Sequence, residues 1–134
     1  MLTVLAWLIL AVALGGCFGL LRRRALSVYW ARRCSGRAWR RTFPAASKAE
    51  LREYLQLFAQ AFDLPPERSL CFAPTDRVTD VYLACNPIRG MPDALETELF
   101  VQALEERYGV TLALPMHENV SLGELFSLTR HAVA

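Results

Sequence analysis

Hydrophobic and polar positions alternate along this chain in two regimes. From Leu2 to Leu21 twenty consecutive residues, LTVLAWLILAVALGGCFGLL, carry no charge. About 20 helical residues rise far enough to cross the ~30 Å hydrocarbon layer of a bilayer, and a helix satisfies its own backbone amides there. The run therefore predicts a transmembrane helix over residues 1–21. Beyond it the apolar residues return only at helical spacing.

Three amphipathic helices are expected in that second regime. Ser47 with Glu50 three residues on has the order of a capping box, and Leu51, Tyr54, Leu55, Phe58, Ala61 and Phe62 follow on one helical face. Pro65-Pro66 stops that helix. A second is opened by Asp93, with a buried stripe expected at Leu95, Leu99, Ala103, Leu104 and Tyr108, and Gly109 just past its end. A third is opened by Ser121 with Glu124, and Leu122, Leu125, Phe126 and Thr129 are expected to face inward. Between the first two, Val78 to Cys85 reads as a short helix, and Cys85-Asn86-Pro87 and Arg89-Gly90-Met91-Pro92 as turns. No strand alternation is strong enough to call a sheet. The fold class is thus all-α: a single N-terminal transmembrane helix followed by a small bundle of three or four helices over 47–134.

Charge sharpens the division. Residues 1–47 carry eight arginines and no acid, a net +8, and residues 48–134 carry seven basic residues against thirteen acids, a net −6; together they make the chain's +2. Arg22-Arg23-Arg24 directly follows the apolar run, and positive flanks stay on the cytoplasmic side. The chain is therefore expected to be a single-pass protein of the inner (cytoplasmic) membrane with its C-terminal domain in the cytoplasm. A cleaved signal peptide or a lipoprotein signal would place its basic segment before the apolar run, although Leu14-Gly15-Gly16-Cys17 has a loosely lipobox-like order. Gly15 and Gly19 have the spacing that lets two spans approach, a spacing common by chance.

The segment 22–46 reads as a basic juxtamembrane strip, interrupted at Ser35-Gly36 and ended by Pro44. Arginine interleaved with tryptophan suits lipid headgroups or nucleic acid, and the position beside the span decides for lipid. Arg22, Arg23, Arg24, Trp30, Arg32 and Arg33 are accordingly expected to face lipid, and no nucleic-acid motif is present. Cys17, Cys34, Cys71 and Cys85 form no C-x-x-C pair, and the two histidines, His117 and His131, share no motif with them, so neither a zinc site nor any other metal site is expected. Cys71 and Cys85 read as buried thiols of a reducing compartment, with a disulfide between them as the alternative. No nucleophile–base set and no glycine-rich phosphate loop stand out, which argues against an enzyme.

The C-terminal part resembles an acyl carrier protein. Asp93-Ala94-Leu95, the amphipathic stretch after it and the closing Ala103-Leu104-Glu105-Glu106-Arg107-Tyr108-Gly109 are similar to that family's second helix, which opens D-S-L and ends near A-L-E-E-x-F. Phe62-Asp63-Leu64-Pro65-Pro66-Glu67 resembles its first-helix exit and Ser121-Leu122-Gly123-Glu124-Leu125 the start of its last helix. The likeness covers residues 47–131.

Two departures bear on function. The serine that carries phosphopantetheine in the family aligns with Ala94, which has no oxygen to esterify, and Thr97 is turned away from that position. The stretch from Asp76 to Asp93 is also longer than the family's loop, with Asn86–Pro92 reading as an insertion. The resemblance implies the family's docking face at Asp93, Glu96, Glu98, Gln102, Glu105 and Glu106, without the cofactor. The expectation is a membrane-anchored adaptor, non-catalytic and free of cofactors, that meets a protein partner with a basic surface. A solvated acidic face, an accessory subunit acting through its span, and a membrane-tethered working carrier are the alternatives.

Overall fold

The computed structural model describes residues 1–87, 95–112 and 120–133. Among these the chain is all-α, with one isolated antiparallel bridge, Arg77 to Ser121. The first helix, α1, runs Leu2–Trp30, 29 residues. It begins as the apolar run and does not stop at the arginines, because arginine is a good helix former and nothing before Ala31 breaks the ladder. The apolar window of α1 is wholly exposed, whereas Leu26 and Tyr29 are buried against the rest of the chain. One helix is thus both a candidate span and a wall of the core.

After a turn whose Ser35 amide donates to Leu70 O at 2.8 Å, α2 covers Gly36–Thr42. The interruption expected at Ser35-Gly36 falls at this turn. The boundary expected at 46/47 is not a packing boundary. Trp39 of α2 has no exposed surface, and its indole N–H donates to Phe72 O at 2.8 Å. Its ring meets Phe43, Tyr54 and Phe126 at centroid distances of 5.9, 6.0 and 5.9 Å. The physical reason is apolar area: residues 22–46 hold two tryptophans, a tyrosine and a phenylalanine, too much aromatic surface to leave unpacked beside a small core.

The next helix, α3, covers Lys48–Ala61 and starts with the expected capping box. Ser47 Oγ accepts from the Glu50 amide at 3.1 Å, and Glu50 Oε2 accepts from the Ser47 amide at 2.6 Å. That bond holds the Glu50 carboxyl below its usual range. Leu51, Tyr54, Leu55, Phe58, Ala59 and Phe62 are buried. The helix ends in a Schellman turn: Leu64 N donates to Ala59 O at 2.8 Å and Asp63 N to Gln60 O at 3.3 Å, with Asp63 in the left-handed region at φ 51°. A 3-10 helix, Pro66–Cys71, leads to Phe72. Phe72 joins three helices: its ring lies 5.2 Å from Tyr29 and 5.6 Å from Trp30 of α1 and 5.1 Å from Phe58 of α3, and its backbone carbonyl accepts from Trp39 of α2.

The short helix expected at Val78 to Cys85 is present as α4, with those bounds, and packs on α1. The segment before it pairs with the start of the last helix: Val78 N donates to Val120 O, Leu122 N to Asp76 O and Gly123 N to Pro74 O, at 3.1, 2.9 and 2.9 Å. Gly123 eases this approach, since a Cβ there would lie 3.0 Å from both Cβ and O of Pro74 and Pro74 would have to give way. The last helix, α6, spans Leu122–Val133. Its expected capping box is present, with Ser121 N donating to Glu124 Oε2 at 2.8 Å and Glu124 N to Ser121 Oγ at 3.2 Å. Leu122, Leu125, Phe126 and Thr129 are buried as expected. Tyr54 reaches across from α3, its hydroxyl donating to Leu122 O at 2.7 Å. Burial holds its phenol well above the usual tyrosine range.

One face differs from expectation. Helix α5, Leu95–Tyr108, buries Phe100 and Leu104 completely and leaves Leu95 50% and Leu99 44% exposed. Its apolar residues lie all round the helix, so the pattern alone admits more than one inward face. Phe100 decides it by ring packing, at 5.8, 5.3 and 6.2 Å from Tyr54, Phe58 and Phe62. Seating residue 100 instead of residue 99 turns the helix by about 100°. Gly109 follows at φ 64°, the left-handed residue expected after the helix.

Candidate functional site

Two regions carry the residues singled out by the sequence: the junction of α1 with the domain, and α5. At the junction the arginines divide by role. Arg22, the first charge after the apolar run, does not reach for lipid. Its Nη2 donates to Phe62 O and Asp63 O at 2.9 and 3.0 Å, placing a cation on the free carbonyls at the C-terminus of α3. Arg32 is likewise engaged: Nη1 donates to both carboxylate oxygens of Asp76 at 2.7 Å. The same carboxylate accepts from the Ala73 amide at 2.7 Å. Its side chain is 9% exposed against 36% for Arg32, so the pair is half-sheltered and fastens the end of α1 to the loop before α4. The guanidinium also lies 4.8 Å from the Tyr29 ring, and burial, then Asp76, raises the Tyr29 phenol.

Trp30 packs edge-on against Phe72 and carries Arg68 at 5.1 Å over its ring. Arg23, Arg24 and Arg33 are exposed. Of the six residues expected to face lipid, Arg22, Trp30 and Arg32 thus make contacts with the domain. The reason is the unbroken helix. It carries Trp30 about 12 Å along its axis from Arg22, and Arg32 follows in the turn just past the helix end, where domain groups meet it.

On α5, Leu95, Leu99, Gln102 and Glu106 fall within about 60° of one another and point away from the buried Leu104. Glu98 flanks them and is exposed. Gln102 Nε2 donates to Glu106 Oε1 at 2.9 Å. Glu105, expected on the same strip, is half-buried and bonds within the domain. Its Oε1 accepts from the Leu112 amide at 2.8 Å, holding the chain that follows Gly109. Glu96 is half-buried, and its charge reaches Cys85 of α4. Asp93 and Ala94, like His117, lie outside the described residues. The rotation of α5 thus adds two exposed leucines to an acidic strip reduced to Glu98, Gln102 and Glu106. Periodicity could not reveal those leucines, because it is ambiguous along this helix.

A second feature has no signature in the sequence. Arg37 and Arg40 of α2 meet Lys48 and Arg52 of α3 around a cleft of about 250 Å³ floored by Trp39, Leu51 and Leu70. None of the four cations forms an ion pair among the described residues. The spacings 37/40 and 48/52 each mark a helical face, but only the packing of α2 on α3 joins them into a site able to attract anions. The cysteines form no disulfide among the described residues. Cys85 is buried as expected, its thiol raised from 9.0 to about 11 by desolvation, and Cys71 is half-buried. No group of three His, Cys, Asp or Glu side chains able to hold a metal occurs among the described residues. Compared with known proteins, the chain matches no family model, no curated sequence and no solved structure.

Proposed function

We propose that this chain is a single-pass protein of the inner membrane whose cytoplasmic, acyl-carrier-like domain is a non-catalytic adaptor, docking a basic-surfaced protein through α5 without phosphopantetheine. The observation that carries the reading is the bareness of α1. Trp7, Ile9, Val12, Leu14 and Leu20 are between 62% and 75% exposed, on a helix with no charge before Arg22. A stripe of this kind on a soluble helix would be packed; an all-round apolar surface of this length matches hydrocarbon. Support for a cytoplasmic domain comes from Arg22, Arg23 and Arg24 directly after the apolar run, since positive flanks are retained on the cytoplasmic side.

Support for docking comes from the outward face of α5. Two exposed leucines with an acidic border combine an apolar anchor with charges that steer a basic partner. Support for an acyl-carrier-like domain comes from the sequence likeness over residues 47–131, and the Ala94 departure argues against a prosthetic arm.

Three measurements test the reading. Alkaline carbonate extraction of membranes should leave the chain in the pellet; release into the supernatant would sink the span. A photocrosslinker at position 99 should capture a partner in intact membranes, and Glu98→Arg with Glu106→Arg should reduce that capture at least fivefold. Equal capture by the charge-reversed chain removes α5 as the docking face. Incubation with a phosphopantetheinyl transferase should leave the intact mass unchanged, and a gain of one arm would restore the working-carrier alternative.

A further inference from the structure

Gly19, Arg22, Arg23, Leu26 and Trp30 lie on one face of α1. Facing them, the segment from Asp63 to Arg68 forms the other wall of a crevice of about 570 Å³. The crevice begins inside the apolar run, at Gly19, and extends about 16 Å along the helix to Trp30. Its lower half therefore coincides with the place where the uncharged run gives way to arginine. A Cβ at Gly19 would have nothing within 4 Å, so the wall is open toward the apolar side.

The crevice is lined by charges of both signs. Arg22 is committed to the carbonyls of Phe62 and Asp63. Arg23 and Arg68 on one hand, Asp63 and Glu67 on the other, line the same cavity, yet none of these four forms an ion pair among the described residues. Asp63 occupies a left-handed position, φ 51°, where glycine is the least strained residue. Aspartate is one of the few non-glycine residues that accept this conformation, and it leaves a carboxylate on the wall of the crevice.

We propose that this crevice binds the headgroup of a zwitterionic aminophospholipid of the ethanolamine type. Its phosphate is held by Arg23 and Arg68, and its primary ammonium by Asp63 and Glu67. The inference rests on the membrane-spanning reading of α1. A phosphate suits guanidinium donors, and an ammonium with N–H donors suits the two carboxylates. A choline headgroup has no N–H to give them, and a purely anionic headgroup meets them as like charges.

The test uses the full chain in detergent, with dioleoyl-phosphatidylethanolamine, the corresponding phosphatidylcholine and the corresponding phosphatidylglycerol added at equal mole fraction. Bound lipid is counted by native mass spectrometry. The ethanolamine lipid should bind at least fivefold more tightly than either of the others. Asp63→Gly keeps the left-handed turn while removing the carboxylate. Combined with Glu67→Gln it should bring ethanolamine-lipid binding to the choline level, with no loss of thermal stability in lipid-free detergent. Arg68→Gln should weaken both the ethanolamine and the choline lipid. Equal binding of the three lipids, a preference for the glycerol lipid, or an ethanolamine preference that survives Asp63→Gly with Glu67→Gln would overturn the site. Carbonate extraction reads the span separately, so a chain that stays in the membrane but shows no lipid preference loses this inference alone.

Discussion

Cutting the chain at residue 47, where charge and capping suggest a domain begins, should leave a fragment that does not fold. The cut removes Leu26, Tyr29 and Trp39, which are 5%, 9% and 0% exposed. Burial of a large apolar side chain stabilises by about 1.5–3 kcal/mol, so the three together contribute about 5–9 kcal/mol. A small domain has about 5–15 kcal/mol in total, and the loss is of the same order as the whole. It also uncovers Phe72, whose ring faces Tyr29 and Trp30 and whose carbonyl accepts from Trp39. Fragments 47–134 and 22–134 would be compared by circular dichroism during heating. The longer fragment keeps all three side chains and the Arg22 bonds to α3, and should melt cooperatively. The shorter should show no cooperative transition. If 47–134 unfolds cooperatively with a midpoint within about 5 °C of its longer counterpart, α1 and α2 are dispensable to the core and the argument fails.

Gly123→Ala should destabilise by about 1–3 kcal/mol, read as a lower urea midpoint, because the new methyl would meet Pro74 at 3.0 Å. A double-mutant cycle of Arg32→Ala and Asp76→Asn should give a coupling of about 1–2 kcal/mol, between the exposed and buried extremes for ion pairs, since Asp76 is nearly covered and Arg32 is not. A coupling below about 0.3 kcal/mol would mean that the pair fastens nothing. The Cys85 thiol keeps its proton up to about 11 when folded and loses it near 9.0 when unfolded. Its contribution to stability is therefore complete below pH 9 and lost as the pH rises from 9.0 through about 11, and Cys85→Ala should flatten the alkaline limb of a melting profile. Alkylation should mark the exposed Cys34 well before the buried Cys85, an order that mass mapping would check.

Much of the domain was legible because local chemistry and tertiary packing agree. At α3 and α6 a serine three residues before a glutamate fixes the start, and the following apolar residues have only one way to face. At α4 the bounds follow from a short apolar run between polar neighbours, and at Gly109 from a glycine placed where a helix must reverse. In α5 the apolar residues encircle the helix, and the choice of Phe100 over Leu99 depends on three rings of α3 and its C-cap that periodicity does not see. In the strip 22–46 composition alone fits lipid. What redirects it is the acceptor set brought by distant segments: the carbonyls of residues 62 and 63, the Asp76 carboxylate and the carbonyl of Phe72. The cleft lined by Arg37, Arg40, Lys48 and Arg52 is of the same kind, two ordinary helical faces made into one feature by packing.

The continuity of α1 has a mechanical consequence for the proposed adaptor. A tether of the Gly/Ser kind lets a domain tumble and sample all orientations. Here no such segment separates the apolar run from the core: the helix enters the bundle within five residues of Leu21, at Leu26, and Arg22 and Arg32 fasten it at two levels. Under the proposed spanning role, any tilt of α1 would therefore be transmitted to the domain, and the direction in which α5 presents Leu95 and Leu99 would be fixed relative to the bilayer. Charge acts in the same sense. In the proposed arrangement the net −6 of residues 48–134 would be repelled by an anionic membrane surface that attracts the exposed Arg23 and Arg24. Inserting a flexible Gly-Ser segment between Leu21 and Arg22 should leave the domain folded and membrane-bound, because the core contacts begin after it. It should also reduce photocrosslinking from position 99 severalfold. Undiminished capture through such a hinge would show that orientation plays no part, and the rigid junction would then serve stability alone.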